Sequence, residues 1–231
     1  MKLAFFSGGA AQAVATGLQP AFESEHGCVF DAAFGAVGTM RDRLLAGEPC
    51  DMLILSEALI RELERQGHVV TGSAQPLGSV ATGVAIRQGD PAVDVSTGDA
   101  LRATLLAARG LYVPNLTQSS AGIHVANVLR KLGIADDMAD RVREYPNGAT
   151  AMREMVSADV PGVLGCTQAT EILYTPGVSY VGDLPAGYDL ATVYTAAVAT
   201  RAQQPELAAA FVRALTSPAS RELRTRSGFR L

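Results

Sequence analysis

Along the chain, short runs of consecutive apolar residues alternate with longer stretches in which apolar positions return every three or four residues. The runs LAFF (3–6), CVFDAAF (28–34), DMLIL (51–55), VATGVAI (80–86), LYVP (111–114), GVLGC (162–166), VSYV (178–181) and TVYTAAVA (192–199) read as buried strands. Between such runs, Ala11, Val14, Leu18 and Phe22, and later Ile123, Ala126 and Leu129, fall on single helical faces. This alternation predicts an α/β protein whose parallel sheet is covered by helices. Helix ends are marked by glycine in EHG (25–27), AG (46–47), RQGH (65–68) and KLG (131–133), where a left-handed residue is needed. His26 and His68, beside two of those glycines, read as C-terminal capping residues. Pro20 falls inside the first helical pattern and predicts a kink or a split there, because proline removes a donor and crowds the preceding turn.

Two stretches rich in glycine and small polar residues, GSAQPLGSV (72–80) and GDLPAGY (182–188), lead into strands and suggest boundaries. If the strands at 80–86 and 192–199 are the connections between lobes, residues 1–81 and 195–231 form one lobe and residues 82–194 the other. In folds of this class, ligands sit between domains or beyond the carboxyl ends of parallel strands. The chemistry is therefore sought at the strand ends.

Those ends resemble one another: FFSGGA, FGAVGTM, ILSEAL, PNLTQSSAGIHV and GCTQAT each place Ser, Thr or Gly just before a helical pattern. Small hydroxyls at helix starts, with glycines that let a ligand approach the backbone, offer N–H and O–H donors and the positive ends of helix dipoles. Taken singly, Ser7, Thr39, Ser56 and Ser119 are also ordinary helix caps. Recurrence along one chain favours an anion cradle without a cationic side chain.

Composition narrows the partner class. The 231 residues are 48% hydrophobic and 18% charged, contain no tryptophan and carry a formal net charge of −4, which supplies no basic footprint for nucleic acid. Cys28, Cys50 and Cys166 cannot all pair within one chain and match no zinc spacing, so all three are expected reduced and mostly buried, with no metal site and no cofactor. No apolar run approaches the ~20 residues needed to cross a bilayer, so no direct membrane insertion is expected. MKLAFF lacks the apolar and cleavage regions of a signal peptide, leaving two expectations: periplasmic if a leader has been removed, cytoplasmic otherwise.

Longer stretches carry a resemblance. FFSGGAAQAVATGLQPAFESEHG, FGAVGTMRDRLLAGEPCDMLILSEALIRELERQGHV, SSAGIHVANVLRKLGI and QPELAAAFVRALTSPASRELRTRSGFRL are similar to the type II periplasmic solute-binding proteins of the molybdate-binding family. G-x-x-G-T followed by AGEPCDMLIL is the most diagnostic piece. The resemblance implies two α/β lobes, each a mostly parallel sheet flanked by helices, joined by two crossing hinge strands and closing on a small oxyanion. It also implies an ABC-transporter membrane component as partner; a monomer is expected. Carried over by position, Ser7, Gly8, Gly9, Gly35, Gly38, Thr39 and Ser56 would bind ligand from the first lobe. Ser119, Ser120, Gly122, Thr167 and Tyr194 would do so from the second. Two residues depart from the family pattern: Glu57 stands where the simplest molybdate binders have a small residue, and AGIHV brings His124 to a helix start, facing the expected site.

The chain also resembles the isomerases of unsaturated tricarboxylates, aconitate isomerase among them, which the resemblance places in the same fold. Shifting a double bond needs a base and an acid beside a carboxylate. In that alternative, His124 and Glu57 would be catalytic, with Cys166 and Tyr194 as lesser candidates. The duller readings are that His124 bonds a backbone or ligand oxygen, that Glu57 answers the helix dipole, that Cys166 is packing and that Tyr194 packs at a hinge. Binding protein, isomerase and cytoplasmic ligand sensor all stay open at this point, as does the choice among molybdate, sulfate and carboxylate.

Overall fold

The apolar run LAFF extends to β1 (Lys2–Gly8). In the computed structural model, which describes all 231 residues, β1 lies between β2 (Val29–Gly35) and β3 (Met52–Ser56), parallel to both. Each of these strands runs into a helix: a single 3-10 turn (Gly9–Ala11) and α1 (Gln12–His26), then α2 (Val37–Leu45), then α3 (Glu57–Arg65). The chain continues through β4 (Gln75–Arg87), α4 (Gly98–Ala107), β5 (Gly110–Pro114), α5 (Ser120–Lys131), α6 (Ala135–Met138), β6 (Val142–Tyr145), α7 (Gly148–Val156), β7 (Val163–Gln168), α8 (Ala169–Tyr174) and β8 (Val178–Asp183). It ends with β9 (Ala191–Val198), α9 (Pro205–Thr216) and α10 (Arg221–Arg226).

The contacts divide the chain into two compact units, Met1–Val80 with Thr192–Leu231, and Ala81–Ala191. In the first, the strand order is β2-β1-β3-β9, with β9 antiparallel to β3. One side of this sheet is packed by an aromatic cluster: Phe5 meets Phe30 and Phe34 edge-on at 5.2 and 5.9 Å, and Phe211 of α9 lies 4.6 Å from Phe30 and 4.8 Å from Phe22. Such pairs add about 0.5–1.5 kcal/mol each beyond the area they bury. At the amino end of β3, buried Asp51 accepts N–H from Ala4 at 2.8 Å, Gln203 at 2.7 Å and Gln204 at 2.9 Å. One carboxylate thus fastens β1 and the start of α9 to the entry of β3. The C-terminal segment is tied to β4 by buried Arg224, which donates to Leu77 O at 2.6 Å, and by the Ser79–Arg230 bridge.

In the second unit, β5 pairs parallel with β6 and β7, and the carboxyl half of β4 pairs antiparallel with β7 and β8. Its core gathers Val84, Leu101, Leu111, Val113, Val125, Leu129, Leu164 and Cys166.

Several expectations met differences. Pro20 neither splits nor ends α1; it is exposed, while Val14, Ala15 and Phe22 on the buried face hold the helix to the core. β4 begins at Gln75, so two thirds of the stretch expected as a boundary, residues 75–80 of 72–80, is strand. β6 joins the sheet without an apolar run, since its residues are exposed or half-buried. Gly27, Gly47, Gly67 and Gly133 take positive φ of 59°, 86°, 79° and 67° at helix ends, as the pattern required. Cys28, Cys50 and Cys166 are free and buried.

Candidate functional site

In the first unit, strand register gathers the expected residues at one sheet edge. Gly8 lies opposite Gly35, Ser7 opposite Ile54, and Ser56, two residues further along β3, opposite Tyr194 of β9. Ser7 is fully buried and donates its hydroxyl hydrogen to Gly8 O at 2.9 Å; Ser56 and Tyr194 are also buried. Tyr194, expected with the second lobe, belongs to the first unit, because β9 turns antiparallel along β3 and returns its amino end to the carboxyl end of that strand. Gly8 is required by packing: a Cβ there would stand 2.9 Å from Cε1 of Tyr194 and 2.8 Å from Cγ1 of Val37.

Three helices begin at this edge, and no side chain caps any of them. Gly8 precedes the 3-10 turn that opens with Gly9, Ala36 precedes α2, and Ser56 precedes α3. Ser56 occupies the capping position, yet its hydroxyl makes no bond to the helix start. Thr39 is not a cap either: it is the third residue of α2 and exposed, and its contribution, like that of Gly38, is a first-turn N–H. The first-turn amides of α2 (Val37, Gly38, Thr39) and α3 (Glu57, Ala58, Leu59) have no carbonyl four residues back within the helix, so they point outward under a positive dipole end. No lysine or arginine is among these residues. Glu57 itself is paired with Arg61 at 2.7 Å on the exposed side of α3.

The second unit is arranged differently. Ser119 does cap α5, accepting the Gly122 N–H at 3.4 Å, and its own hydroxyl hydrogen stays available to donate. Ser120 follows as the first helical residue. Gly122 is required, since a Cβ would overlap the carbonyl oxygens of Asn115 and Pro114. Asn115 orders the preceding loop by accepting N–H from Thr117 at 3.0 Å and Gln118 at 2.7 Å. His124 is half-buried, and its Nε2 lies 2.7 Å from Tyr188 O. A carbonyl only accepts, so that nitrogen carries the hydrogen and donates it, which ties the ring to the 185–189 segment. Lys131, two turns on, donates to Gly187 O at 2.5 Å. The backbone-bonding reading of His124 is the one the geometry shows.

Thr167, the last residue but one of β7, is fully buried, and its hydroxyl donates to Oε2 of Glu171 at 2.6 Å. Glu171 is a residue the sequence reading missed. Its Oε1 accepts the Gly148 N–H at the start of α7 at 3.1 Å, beside the Asn147 side-chain cap. Burial pushes the Glu171 carboxyl above the usual range, opposed by its hydrogen bonds to Thr167, Gly148, Ala149 and Gln168. Glutamate in a helix's first turn reads as a solvated acid, and its partner Gly148 lies 23 positions away, so no local pattern gave it away. Burial alone pushes the Cys166 thiol up to about 12, which leaves it packing rather than nucleophile.

Relatives agree with this architecture. The chain matches the model of bacterial extracellular solute-binding proteins over residues 3–230. It is 28% identical over 204 residues to an aconitate isomerase from Pseudomonas sp, covering 86% of this chain and 76% of that one. Among solved structures, the periplasmic molybdate-binding protein of Azotobacter vinelandii superposes with a TM-score of 0.80 at 18% identity, covering 99% of each chain. The sulfate-binding protein SubI from Mycobacterium tuberculosis H37Rv gives a TM-score of 0.76 at 18% identity, covering 100% of this chain and 86% of that one. These neighbours share the type II periplasmic-binding-protein fold. With almost the whole length matched, the chain belongs to the bacterial extracellular solute-binding protein family.

Proposed function

We propose that the chain binds a small oxyanion of the molybdate or sulfate class and presents it, from the periplasmic side, to the membrane component of an ABC transporter. The observation that carries this reading is the sheet edge of the first unit, where Ser7, Gly8, Gly35 and Ser56 align in register before helix starts that no side chain caps. Neutral donors bind a dispersed dianion without a counter-ion, and each bond to a charged group contributes about 1.5–3 kcal/mol. A handful of them offsets the several kcal/mol lost on immobilising the ligand and leaves the ~8 kcal/mol that corresponds to micromolar affinity.

Isothermal titration of the purified chain with molybdate, tungstate, sulfate, citrate and aconitate tests the reading. Micromolar or tighter binding of a tetrahedral oxyanion is expected, and binding of the carboxylates alone would overturn it. The likeness to an aconitate isomerase supports a second reading, proton transfer on an unsaturated polycarboxylate. Of the two carriers expected for that chemistry, His124 donates its Nε2 hydrogen to Tyr188 O, which leaves Nδ1 as a base, and Glu57 pairs with Arg61 on the exposed side of α3. Proton NMR of aconitate with the chain in deuterated water separates the two readings: deuterium gained at carbon would establish the enzyme, and its absence is expected.

A further inference from the structure

His68 caps α3 through its main chain: its N–H donates to Leu63 O at 2.8 Å, and Gly67, at φ 79°, donates to Glu64 O at 3.0 Å. The half-buried imidazole makes no hydrogen bond. α2 ends in the same way, with the Glu48 N–H on Arg43 O at 3.2 Å and the Gly47 N–H, at φ 86°, on Leu44 O at 2.9 Å. Such paired bonds close the last turn of a helix. These two helix ends border a cavity of about 510 Å³, a size within the range of small-ligand sites. All of its walls belong to the first unit. The third wall is the stretch after β9, and main-chain bonds fix it to the others. Thr200 N–H donates to His68 O at 3.0 Å, Ala199 N–H to Asp51 O at 2.9 Å, and the Asp51 carboxylate takes the Gln203 amide at 2.7 Å. The cavity is therefore preformed. It lies at the amino end of β3, and the stretch from Cys50 to Ser56 separates it from the strand-end edge by about 20 Å.

The charges around this cavity do not cancel. Glu48 is committed, since Arg43 donates to its Oε2 from Nε at 2.9 Å and from Nη2 at 2.6 Å. The Cys50 thiol is neutral, its pKa pushed up to about 12 chiefly by burial. Arg201, always protonated, makes neither an ion pair nor a hydrogen bond. The Thr200 hydroxyl, on the same wall, is likewise without a hydrogen bond. The dipoles at the ends of α2 and α3 act the other way, favouring a cation, but the bonds that close each last turn occupy the carbonyls that carry that charge. The α2 side of the cavity is apolar, formed by Leu44, Leu45 and Pro49, and Leu45 is 45% exposed.

We propose that this cavity is a second ligand site, which takes a small monocarboxylate with an apolar body. The carboxylate pairs with the Arg201 guanidinium, whose planar fork matches it. The His68 ring, which has an N–H in either tautomer, and the Thr200 hydroxyl supply further donors. The body covers Leu44, Leu45 and Pro49. A bare tetrahedral anion would leave that apolar side uncovered, and a cationic ligand would face an unpaired guanidinium. The site uses none of the strand-end residues, so it holds or fails independently of oxyanion binding there.

Two-dimensional amide NMR of the full chain, titrated with hexanoate at constant ionic strength, tests the site. Saturable shifts are expected in the amides of residues 44–50, 66–68 and 200–203, with those of 7–9 and 35–39 unmoved. Hexanamide and hexylamine keep the body and lose or reverse the charge, whereas acetate keeps the charge and loses the body. Each should bind about tenfold more weakly than hexanoate, or worse. Arg201→Gln should weaken hexanoate by about tenfold or more, through loss of a bond to a charged group. Its ligand-free melt should match wild type, because Arg201 bonds nothing in the fold. Arg226→Gln, at an exposed arginine of α10 outside the cavity, is the control and should bind as wild type does. Hexylamine bound as tightly as hexanoate, unchanged affinity in Arg201→Gln, shifts confined to residues 7–9 and 35–39, or shifts that never saturate would each overturn the proposal.

Discussion

Gly8→Ala isolates the packing at the edge of the first unit. The backbone at Gly8, with φ −59° and ψ 142°, is one that alanine adopts freely, so conformation adds no penalty. The cost comes from the added methyl alone, placed 2.8 Å from Cγ1 of Val37 and 2.9 Å from the Tyr194 ring. Both neighbours are buried, and the stiff valine cannot turn aside. Overpacking of this kind costs about 1–3 kcal/mol, offset by about 0.4–1 kcal/mol from the less flexible unfolded chain. A net loss of about 1–2 kcal/mol lowers Tm by roughly 3–6 °C in a chain of this size. Because the Tyr194 ring yields first, anion affinity should fall with stability. Gly182→Ala is the control: a Cβ there meets nothing within 4 Å, and its melt should match wild type or exceed it slightly. The assay is chemical and thermal unfolding of both variants, with Tyr194→Ala as a background in which Gly8→Ala should cost less. Equal stability of Gly8→Ala and Gly182→Ala would refute the description of this edge.

Two further outcomes follow from buried carboxylates. The folded-state pKa of Glu171 is raised above its ordinary value of 4.5, so the stability it contributes is present below that value and lost as pH rises through the folded pKa; the Tm of Glu171→Gln relative to wild type should therefore climb as pH rises from that value through the folded pKa and level off above it, and a difference that is the same at every pH would contradict the assignment. Asp51→Ala leaves the amides of Ala4, Gln203 and Gln204 without their acceptor and should cost about 3–5 kcal/mol, read by urea unfolding, while any folded protein keeps its anion Kd, because Asp51 precedes β3 and Ser56 ends it.

The strand-to-helix transitions were legible because they depend on local pattern: an apolar run, then glycine or serine, then helical spacing. Glycine at helix ends was readable for the same reason, since a left-handed residue is a local demand. β6 escaped because VREY lies exposed or half-buried and carries no apolar run. At the site, Ser7, Gly8, Gly35 and Ser56 could be picked from composition, but their alignment is a property of register between strands far apart in sequence. Pairing also moved Tyr194 to the first unit. The five similar strand ends concealed a difference: Ser119 caps α5, whereas the helices that follow the other four ends start without a side-chain cap. Which hydroxyl is already committed depends on tertiary neighbours, as Thr167 and Glu171 show.

The most direct measurement is molybdate or sulfate titration of Ser7→Ala and Ser56→Ala against wild type, at fixed pH and salt. Neutral donors holding the anion predict that Ser56→Ala weakens Kd by about tenfold or more, from the loss of one bond to a charged group, with its ligand-free melt little changed, while Ser7→Ala, whose buried hydroxyl already gives its hydrogen to Gly8 O, weakens it less. Wild-type affinity in Ser56→Ala would contradict the account.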